Sequence, residues 1–329
     1  MWSEGTSEDE VVIMAQDTWQ NRSVVTTFLI VGLSDGQDPN YSLFFVFLVV
    51  YLVTALGNLI IITLIVTDHQ LHSPMYFFLA NLAVIDIIFS TVTVPKLLDN
   101  LIDSKKPISF AACITQLYFF QYFVVAECYL LAVMAYDRYV AICFPLNYTI
   151  TMNRNVRIRL VVTCWICGFV NSLMQAVSVS ELTFCRSNIV NHFFCDVTPL
   201  FKISCSDTRP AEAIFLMVVV LAGMFPLTFI VVSYIRIILA IMKVSSSKGR
   251  RKTFSTCASH FIVVALYYGS GIFSYIWPSS TIAMSKDVKV VAVLYTIFTP
   301  MLNPIIYSLR NREVKAAMRR LLSQNKNYS

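Results

Sequence analysis

The chain has 329 residues, of which 57% are hydrophobic and 13% charged, with a formal net charge of +6 and a mean hydropathy of +0.67. A soluble domain carries about 25% charged residues, so this composition excludes an ordinary water-solvated globular protein. The excess Lys and Arg flank apolar runs, which makes the net charge a signal of membrane topology rather than of nucleic-acid binding.

Residues 1–40 form an acidic tail. Glu4, Glu8, Asp9, Glu10, Asp17, Asp35 and Asp38 stand against the single Arg22. The stretch Val11–Ala15 is too short for the apolar core of a cleavable signal peptide, so the first span is expected to serve as the insertion signal. Asn21-Arg22-Ser23 is a glycosylation sequon on this tail. Asn40-Tyr41-Ser42 also matches but abuts the first span.

Seven apolar runs follow, at 41–66, 76–98, 111–142, 157–179, 211–242, 256–278 and 288–309. Roughly 20 apolar residues of helix cross about 30 Å of hydrocarbon. Lipid offers no water to unpaired backbone groups, and the runs lack the period-two alternation of a barrel, so they are read as helices. The third and fifth exceed one crossing and are expected to tilt or project. The connection 143–157 carries Arg154 and Arg157, and the segment 243–253 carries Lys243, Lys248, Arg250, Arg251 and Lys252 with no acid. The tail beyond 309 carries Arg310, Arg312, Lys315, Arg319, Arg320 and Lys326 against Glu313. The positive-inside rule makes these sides cytoplasmic and the acidic tail extracellular. Asn147 and Asn327, each in a sequon, then face the cytoplasm and stay bare. Arg312–Leu322 reads as a short amphipathic helix on the inner leaflet. The expected organisation is all-α: an extracellular tail (1–40), a seven-helix transmembrane domain (41–309) and a cytoplasmic tail (310–329).

Cys128, Cys143, Cys164, Cys167 and Cys257 lie in spans or at their inner ends and read as small buried hydrophobes. Cys113, Cys185, Cys195 and Cys205 lie on the outer side, where disulfides persist. Four cysteines allow three pairings, and spacing does not choose among them. Spacings of about ten residues without a CxxC argue against zinc. Polar residues inside the spans are Asn58, Asp86, Glu127, Arg138, His260 and Asn303. Asn58 and Asn303 suit hydrogen bonds between helices. His260 reads as a local hydrogen-bonding residue rather than a metal ligand. Intramembrane Asp86 and Glu127 are functional candidates, because an ionisable group there is expensive.

The tripeptide Asp137-Arg138-Tyr139 closes the third span, and Asn303-Pro304-Ile305-Ile306-Tyr307 closes the seventh. Together they resemble the rhodopsin-like G-protein-coupled receptors. "PMYFFLANLAVID" (74–86), "MAYDRYVAICFPLNY" (134–148), "SY" (233–234), "KTFSTCASH" (252–260) and "PMLNPIIYSLRN" (300–311) narrow the likeness. In that order they resemble the tetrapod-type olfactory receptors of vertebrates, over about residues 26–322. The acidic opening is longer than is usual in that family.

That resemblance implies Cys113–Cys195 and Cys185–Cys205 disulfides. It implies that Asp137 holds Arg138 at rest, together with polar groups near the inner end of the sixth helix, and that Arg138 meets the G protein when that helix swings outward. Tyr139, Tyr234, His260, Asn303, Pro304 and Tyr307 belong to the same activation machinery. No acid occupies 250–260, so the resting partner falls to Ser255, Thr256 or His260. The ligand is expected between the outer halves of helices three, five, six and seven. Counting helical turns inward from Cys113 gives Leu117, Phe120, Gln121, Val124 and Val125. Helix five offers Val218, Val219 and Ala222, helix six Tyr268, Gly271, Ile272 and Tyr275, and helix seven Val293 and Thr296. Such a lining suits a small, neutral, largely hydrophobic molecule with one or two directed hydrogen bonds. It holds no counterion for an amine. Asp86 and Glu127 are expected to share a sodium ion or a proton, since two close carboxylates in low dielectric do not both stay charged alone. No other cofactor is implied.

The resemblance therefore implies an odorant receptor in the plasma membrane of sensory cilia, acting through a stimulatory, olfactory-type heterotrimeric G protein to raise cyclic AMP. Its partners are an odorant, that G protein and membrane lipid, not nucleic acid. A receptor of the same fold for a non-odorant lipid or metabolite outside the nose is the other reading. A transporter predicts internal repeats, and none is seen. An intramembrane serine hydrolase needs Ser270 against His260, but nearly three helical turns separate them. The chain does not read as an enzyme.

Overall fold

The computed structural model describes residues 25–33, 39–103, 107–185, 187–243, 246–276, 286–310 and 312–326. The spanning helices are α1 (Tyr41–Thr67), α2 (Pro74–Ile102), α3 (Phe110–Cys143), α4 (Arg154–Ser180), α5 (Arg209–Met242), α6 (Ser247–Ile276) and α7 (Lys286–Arg310). Among the described residues, 7 helices are long and apolar enough to cross a membrane. A terminal helix, α8 (Arg312–Lys326), follows. The expected runs agree with these bounds to within a few residues, except that α6 starts nine residues early, at 247 rather than 256. The basic segment expected to be a connection is helical there, because it lacks proline and carries good helix formers.

Polar side chains set the starts of three helices by accepting orphan backbone N–H groups. Asn40 Oδ1 accepts from Leu43 N at 3.0 Å, Ser109 Oγ from Ala112 N at 3.2 Å, and Asn153 Oδ1 from Val156 N at 3.1 Å. α1 buries one stripe, Phe47, Val50, Thr54, Asn58, Ile61, Leu64 and Ile65, at the spacing of a single helical face. Leu43, Phe44, Tyr51 and Ile62 flank the stripe and pack against the core, and the large apolar side chains of the opposite face, among them Phe45, Val49, Leu52, Leu56 and Leu59, are exposed. α3 is the central pillar and packs against α2, α4 and α5. Its crossing with α4 needs a glycine. A Cβ on Gly168 would sit 2.8 Å from both the ring and the carbonyl of Tyr122, so any side chain there forces the helices apart.

Two helices are not regular. α5 contains a π-helical turn at Val219–Met224, and α7 contains another at Leu294–Phe298. Each turn runs up to a proline, Pro226 and Pro300 respectively, which has no N–H to donate to the helical ladder.

The outer mouth carries a small sheet. Strand β1 (Thr27–Ile30) pairs antiparallel with β2 (Pro107–Ser109) and parallel with β3 (Ile189–Val190), in the order β2-β1-β3. Phe28 and Ile30 are fully buried beneath it. Disulfides Cys113–Cys195 and Cys185–Cys205 hold the second outer loop, so the pairing implied by the family resemblance is the one present. That loop also forms a short helix, Val197–Ile203.

At the opposite end of the bundle from this sheet, α8 buries Val314 and Ala317. Tyr76 donates to Glu313 Oε2 at 2.7 Å. Arg320 donates to Asp68 through Nε at 2.9 Å and through its terminal nitrogen at 2.6 Å. That guanidinium holds the Asp68 carboxyl below the usual range.

Candidate functional site

A cavity of about 110 Å³ lies between α3, α5, α6 and α7. Gln121, Val124, Val125 and Cys128 line it from α3. Phe215, Val218, Val219, Ala222, Gly223 and Met224 line it from α5, Tyr267, Tyr268, Gly271 and Ile272 from α6, and Tyr295 from α7. Gln121 brings the one amide to this lining. The tyrosine hydroxyls are largely occupied: Tyr267 donates to Val124 O at 2.9 Å and Tyr268 to Cys128 O at 3.5 Å. These bonds tie α6 to α3 along the cavity wall. Among the described residues no carboxylate lines the cavity, so a cationic ligand would find no counterion in that lining.

The second outer loop roofs the bundle. Phe194 packs on Phe120 with ring centroids 4.5 Å apart, and His192 packs edge-on to Phe194 at 4.5 Å. Gln116 accepts from Cys195 N at 3.0 Å and donates to Val92 O at 3.0 Å, which stitches the loop to α2 and α3.

Below the cavity lies a buried polar layer. Asn303 Nδ2 donates to both oxygens of Asp86 at 3.0 Å. Glu127 is also buried, and no hydrogen bond joins the two carboxyls. Among the described residues, Glu127 Oε1, Asn303 Oδ1, Ser90 Oγ and the Tyr307 hydroxyl have no hydrogen-bond partner. Asn58 donates to Pro300 O at 3.2 Å, and Pro304 sits where a Cβ on Gly57 would meet it at 3.1 Å. Both contacts press α7 onto α1.

At the end of the bundle away from the disulfides, Arg138 is paired with Asp137, its Nε donating to Oδ2 at 3.0 Å. Tyr148 of the second inner connection donates to Asp137 Oδ1 at 2.8 Å. Tyr139 packs against Phe144. One turn and more above, His260 of α6 reaches across the core. Its Nε2 lies 3.1 Å from Leu131 O on α3, and its Nδ1 lies 2.6 Å from the Tyr234 hydroxyl on α5. A carbonyl only accepts, so Nε2 carries the proton, Nδ1 accepts, and Tyr234 donates.

The family model described as "Olfactory receptor" matches residues 47–325. Human olfactory receptor 5B12 is 47% identical over 307 residues, covering 93% of this chain and 98% of its own length. Rat olfactory receptor 1f45 is 49% identical over 303 residues, covering 92% and 96%. This chain belongs to the olfactory receptor family. The crystal structure of squid rhodopsin shares its fold, with a TM-score of 0.69 at 17% identity over 85% of this chain and 80% of that one. The receptor is thus a multi-pass membrane protein of the rhodopsin-like G-protein-coupled class. Its family takes small-molecule ligands and couples to G proteins, and it is not an enzyme.

Sequence reasoning about the receptor's cavity divides by helix. Of the residues named from the sequence, Gln121, Val124, Val125, Val218, Val219, Ala222, Tyr268, Gly271 and Ile272 line it. Leu117 does not, because it is fully buried in the outer cluster with Phe28 and Val190. Phe120 is covered by Phe194 instead. Val293 and Thr296 also point elsewhere, and the Thr296 hydroxyl donates to Ala292 O at 2.7 Å. The π turn of α7 rotates Tyr295 to the cavity in their place. The Tyr275 side chain lies outside the described residues, as do those of Ser255 and Thr256, and so does Asn21. Cys128, Phe215, Gly223, Met224, Tyr267 and Tyr295 were not expected from the sequence. His260, expected to bond locally, instead bridges three helices.

Proposed function

We propose that the receptor binds a compact, neutral, mostly hydrophobic odorant in the cavity between α3, α5, α6 and α7. The single observation that carries this reading is an apolar cavity whose lining, among the described residues, holds one amide, Gln121, and no carboxylate. An apolar cavity of about 150 Å³ holds benzene, so a volume of about 110 Å³ suits a ligand of about one ring or a short chain. Gln121 gives it one directed hydrogen bond. Agonist binding releases the inner end of α6 from the His260 bridge, and Arg138 then leaves Asp137 to line the G-protein cleft. Tyr234 and Tyr307 turn into the opened space. The G protein is of the stimulatory, olfactory type, and cyclic AMP is the output. The receptor sits in the plasma membrane of olfactory cilia with its N-terminal tail outside, glycosylated at Asn21.

Asp86 and Glu127 hold a sodium ion or a shared proton between them. The residues fit such a group, because Glu127 Oε1, Ser90 Oγ and Asn303 Oδ1 are buried oxygens without a partner. Oxygen donors suit a hard cation, and a bound charge there relieves two carboxylates in low dielectric.

The test is a screen of chemically diverse volatiles on cells expressing the receptor with a stimulatory G-protein α subunit. Ligand-dependent cyclic AMP is expected, together with its loss in Arg138→Ala at matched surface expression. Full signalling from Arg138→Ala would remove the role given to that residue. Responses carried only by another G-protein class would overturn the coupling.

A further inference from the structure

The π turn in α5 leaves a backbone carbonyl without a partner for a reason written in the sequence. Phe225 N–H bonds to Val220 O, five residues back. The next bond in that register would run from residue 226 to Leu221 O. Residue 226 is proline and has no N–H to give. The Leu221 side chain is 50% exposed on the lipid side, where no water is present to satisfy the carbonyl. The missing donor comes from another helix: the Tyr129 hydroxyl of α3 donates to Leu221 O at 3.0 Å. The Tyr129 ring packs against Val125, Val218 and Ala222, which are three residues of the cavity wall.

We infer that Tyr129 is a positioning residue for ligand selectivity, its hydroxyl pinning the π turn of α5 and thereby the face that α5 presents to the odorant. The inference rests on the reading of the cavity as the ligand site. A π turn carries one residue more than an α turn. Straightening it would rotate the outer half of α5 by about 100° against the inner half, at 3.6 residues per turn. Phe215, Val218 and Val219 lie on or before the turn, whereas Tyr234 lies after it on the inner half. The register of this one turn therefore decides which side chains meet the ligand while Tyr234 keeps its place against His260. Tyr129 itself is outside the cavity lining. It shapes recognition without touching the ligand.

The inference separates from simple packing because the need for Tyr129 is created by Pro226. Tyr129→Phe keeps the ring and removes only the donor. Pro226→Ala supplies a backbone N–H that reaches Leu221 O. The experiment measures cyclic AMP dose–response curves to a fixed panel, namely benzaldehyde, acetophenone, and the C5 to C9 straight-chain aldehydes and alcohols, in cells with surface expression matched. Tyr129→Phe is expected to change the potency ratio between the best aromatic and the best straight-chain agonist by about tenfold. Tyr129→Phe/Pro226→Ala is expected to restore the parent ratio. In purified receptor in lipid nanodiscs without ligand, amide hydrogen exchange over 219–227 should quicken in the single variant and return in the double. An equal potency shift for every agonist, an unchanged ratio, or no rescue by Pro226→Ala would overturn the inference. Should Tyr129→Phe fail to reach the surface, the double variant decides: recovery of surface expression with the parent ratio supports the coupling, and no recovery overturns it. Ala222→Phe, which fills the cavity, is the control for the underlying reading. If it leaves all responses unchanged, the cavity is not the ligand site. If it silences them while Tyr129→Phe leaves the ratio untouched, only the role of Tyr129 fails.

Discussion

Replacing His260 with Phe should switch the receptor partly on without ligand. His260 is fully buried, and it makes two cross-helix bonds, to Tyr234 at 2.6 Å and to Leu131 O at 3.1 Å. Phe fills similar space and keeps the near-parallel stacking on Tyr234, whose ring lies 9° from that of His260. The substitution thus removes hydrogen bonds with little change in packing. Each neutral bond contributes roughly 0.5–1.5 kcal/mol net, so the resting form loses roughly 1–3 kcal/mol if activation breaks both. A factor of ten corresponds to about 1.4 kcal/mol. A receptor that is about 1% active at rest would become about 10% active at the lower part of that range. The assay is ligand-independent cyclic AMP per surface receptor, measured over a range of expression levels. Tyr234→Phe is the informative companion. It breaks the same 2.6 Å bond but also removes the hydroxyl assigned to the opened cleft, so its basal rise should be smaller and its maximal response lower. Unchanged or reduced basal signalling in His260→Phe at parental surface density would refute the bridge as a resting lock.

Cys113→Ser and Cys195→Ser should damage surface expression equally, and the double variant should be no worse, because each single change already breaks the same bond; unequal losses on surface labelling would contradict this. Gln121→Leu should weaken hydrogen-bonding agonists severalfold relative to hydrocarbon analogues, as expected for a bond of roughly 0.5–1.5 kcal/mol, and a uniform loss across the panel would instead indicate disturbed folding. His192 in the outer loop is pushed down from 6.5 to about 3 by burial and by Lys289. The unfolded loop therefore takes up a proton below pH 6.5 that the folded loop refuses. Stability contributed by the loop is fully present above pH 6.5 and falls progressively as the pH drops below it toward about pH 3. His192→Phe should flatten that dependence in melting curves of purified receptor at pH 5 and pH 7.5, and an unchanged difference would count against the burial argument. Glu127→Gln and Asp86→Asn should each alter the sodium or pH dependence of basal signalling, with effects in the double variant that do not sum; strict additivity would reduce them to unrelated buried groups.

The seven spans were legible because lipid imposes a hard rule on them: about 20 apolar residues per crossing and no unpaired backbone. On α3, which runs regularly from its Ser109 cap, counting turns reaches Gln121, Val124 and Val125, but it also takes in Leu117 and Phe120, which the outer cluster and Phe194 cover, and it stops short of Cys128. Counting failed again where the helix is not 3.6-fold. The π turns of α5 and α7 move Gly223, Met224 and Tyr295 into the lining, and the only sequence signals for them are Pro226 and Pro300. The outer sheet was missed although Thr27–Ile30 is an apolar island after an acidic stretch. Its partners lie some 80 and 160 residues away, and period-two alternation over four residues does not reveal them. His260 was singled out as a polar residue in a span, but its partners lie on two other helices, and no local pattern links them.

In the proposed mechanism, what joins the ligand end to the G-protein end is the seam between α3 and α6. Tyr267 donates to Val124 O and His260 to Leu131 O. The two donors are seven residues apart on α6 and the two acceptors seven residues apart on α3, so the bonds are rungs about two helical turns apart, or about 10 Å. The upper rung borders the cavity, where Tyr267 is part of the lining. The lower rung stands beside Tyr234, above the Asp137–Arg138 pair. On that reading, an odorant that pushes on Tyr267 acts on the same helix, and against the same partner helix, as the bond proposed to keep the inner end of α6 closed. A rigid α6 cannot shift at one rung without loading the other. That gives a small apolar ligand a route to the cytoplasmic face without any charge passing through the core.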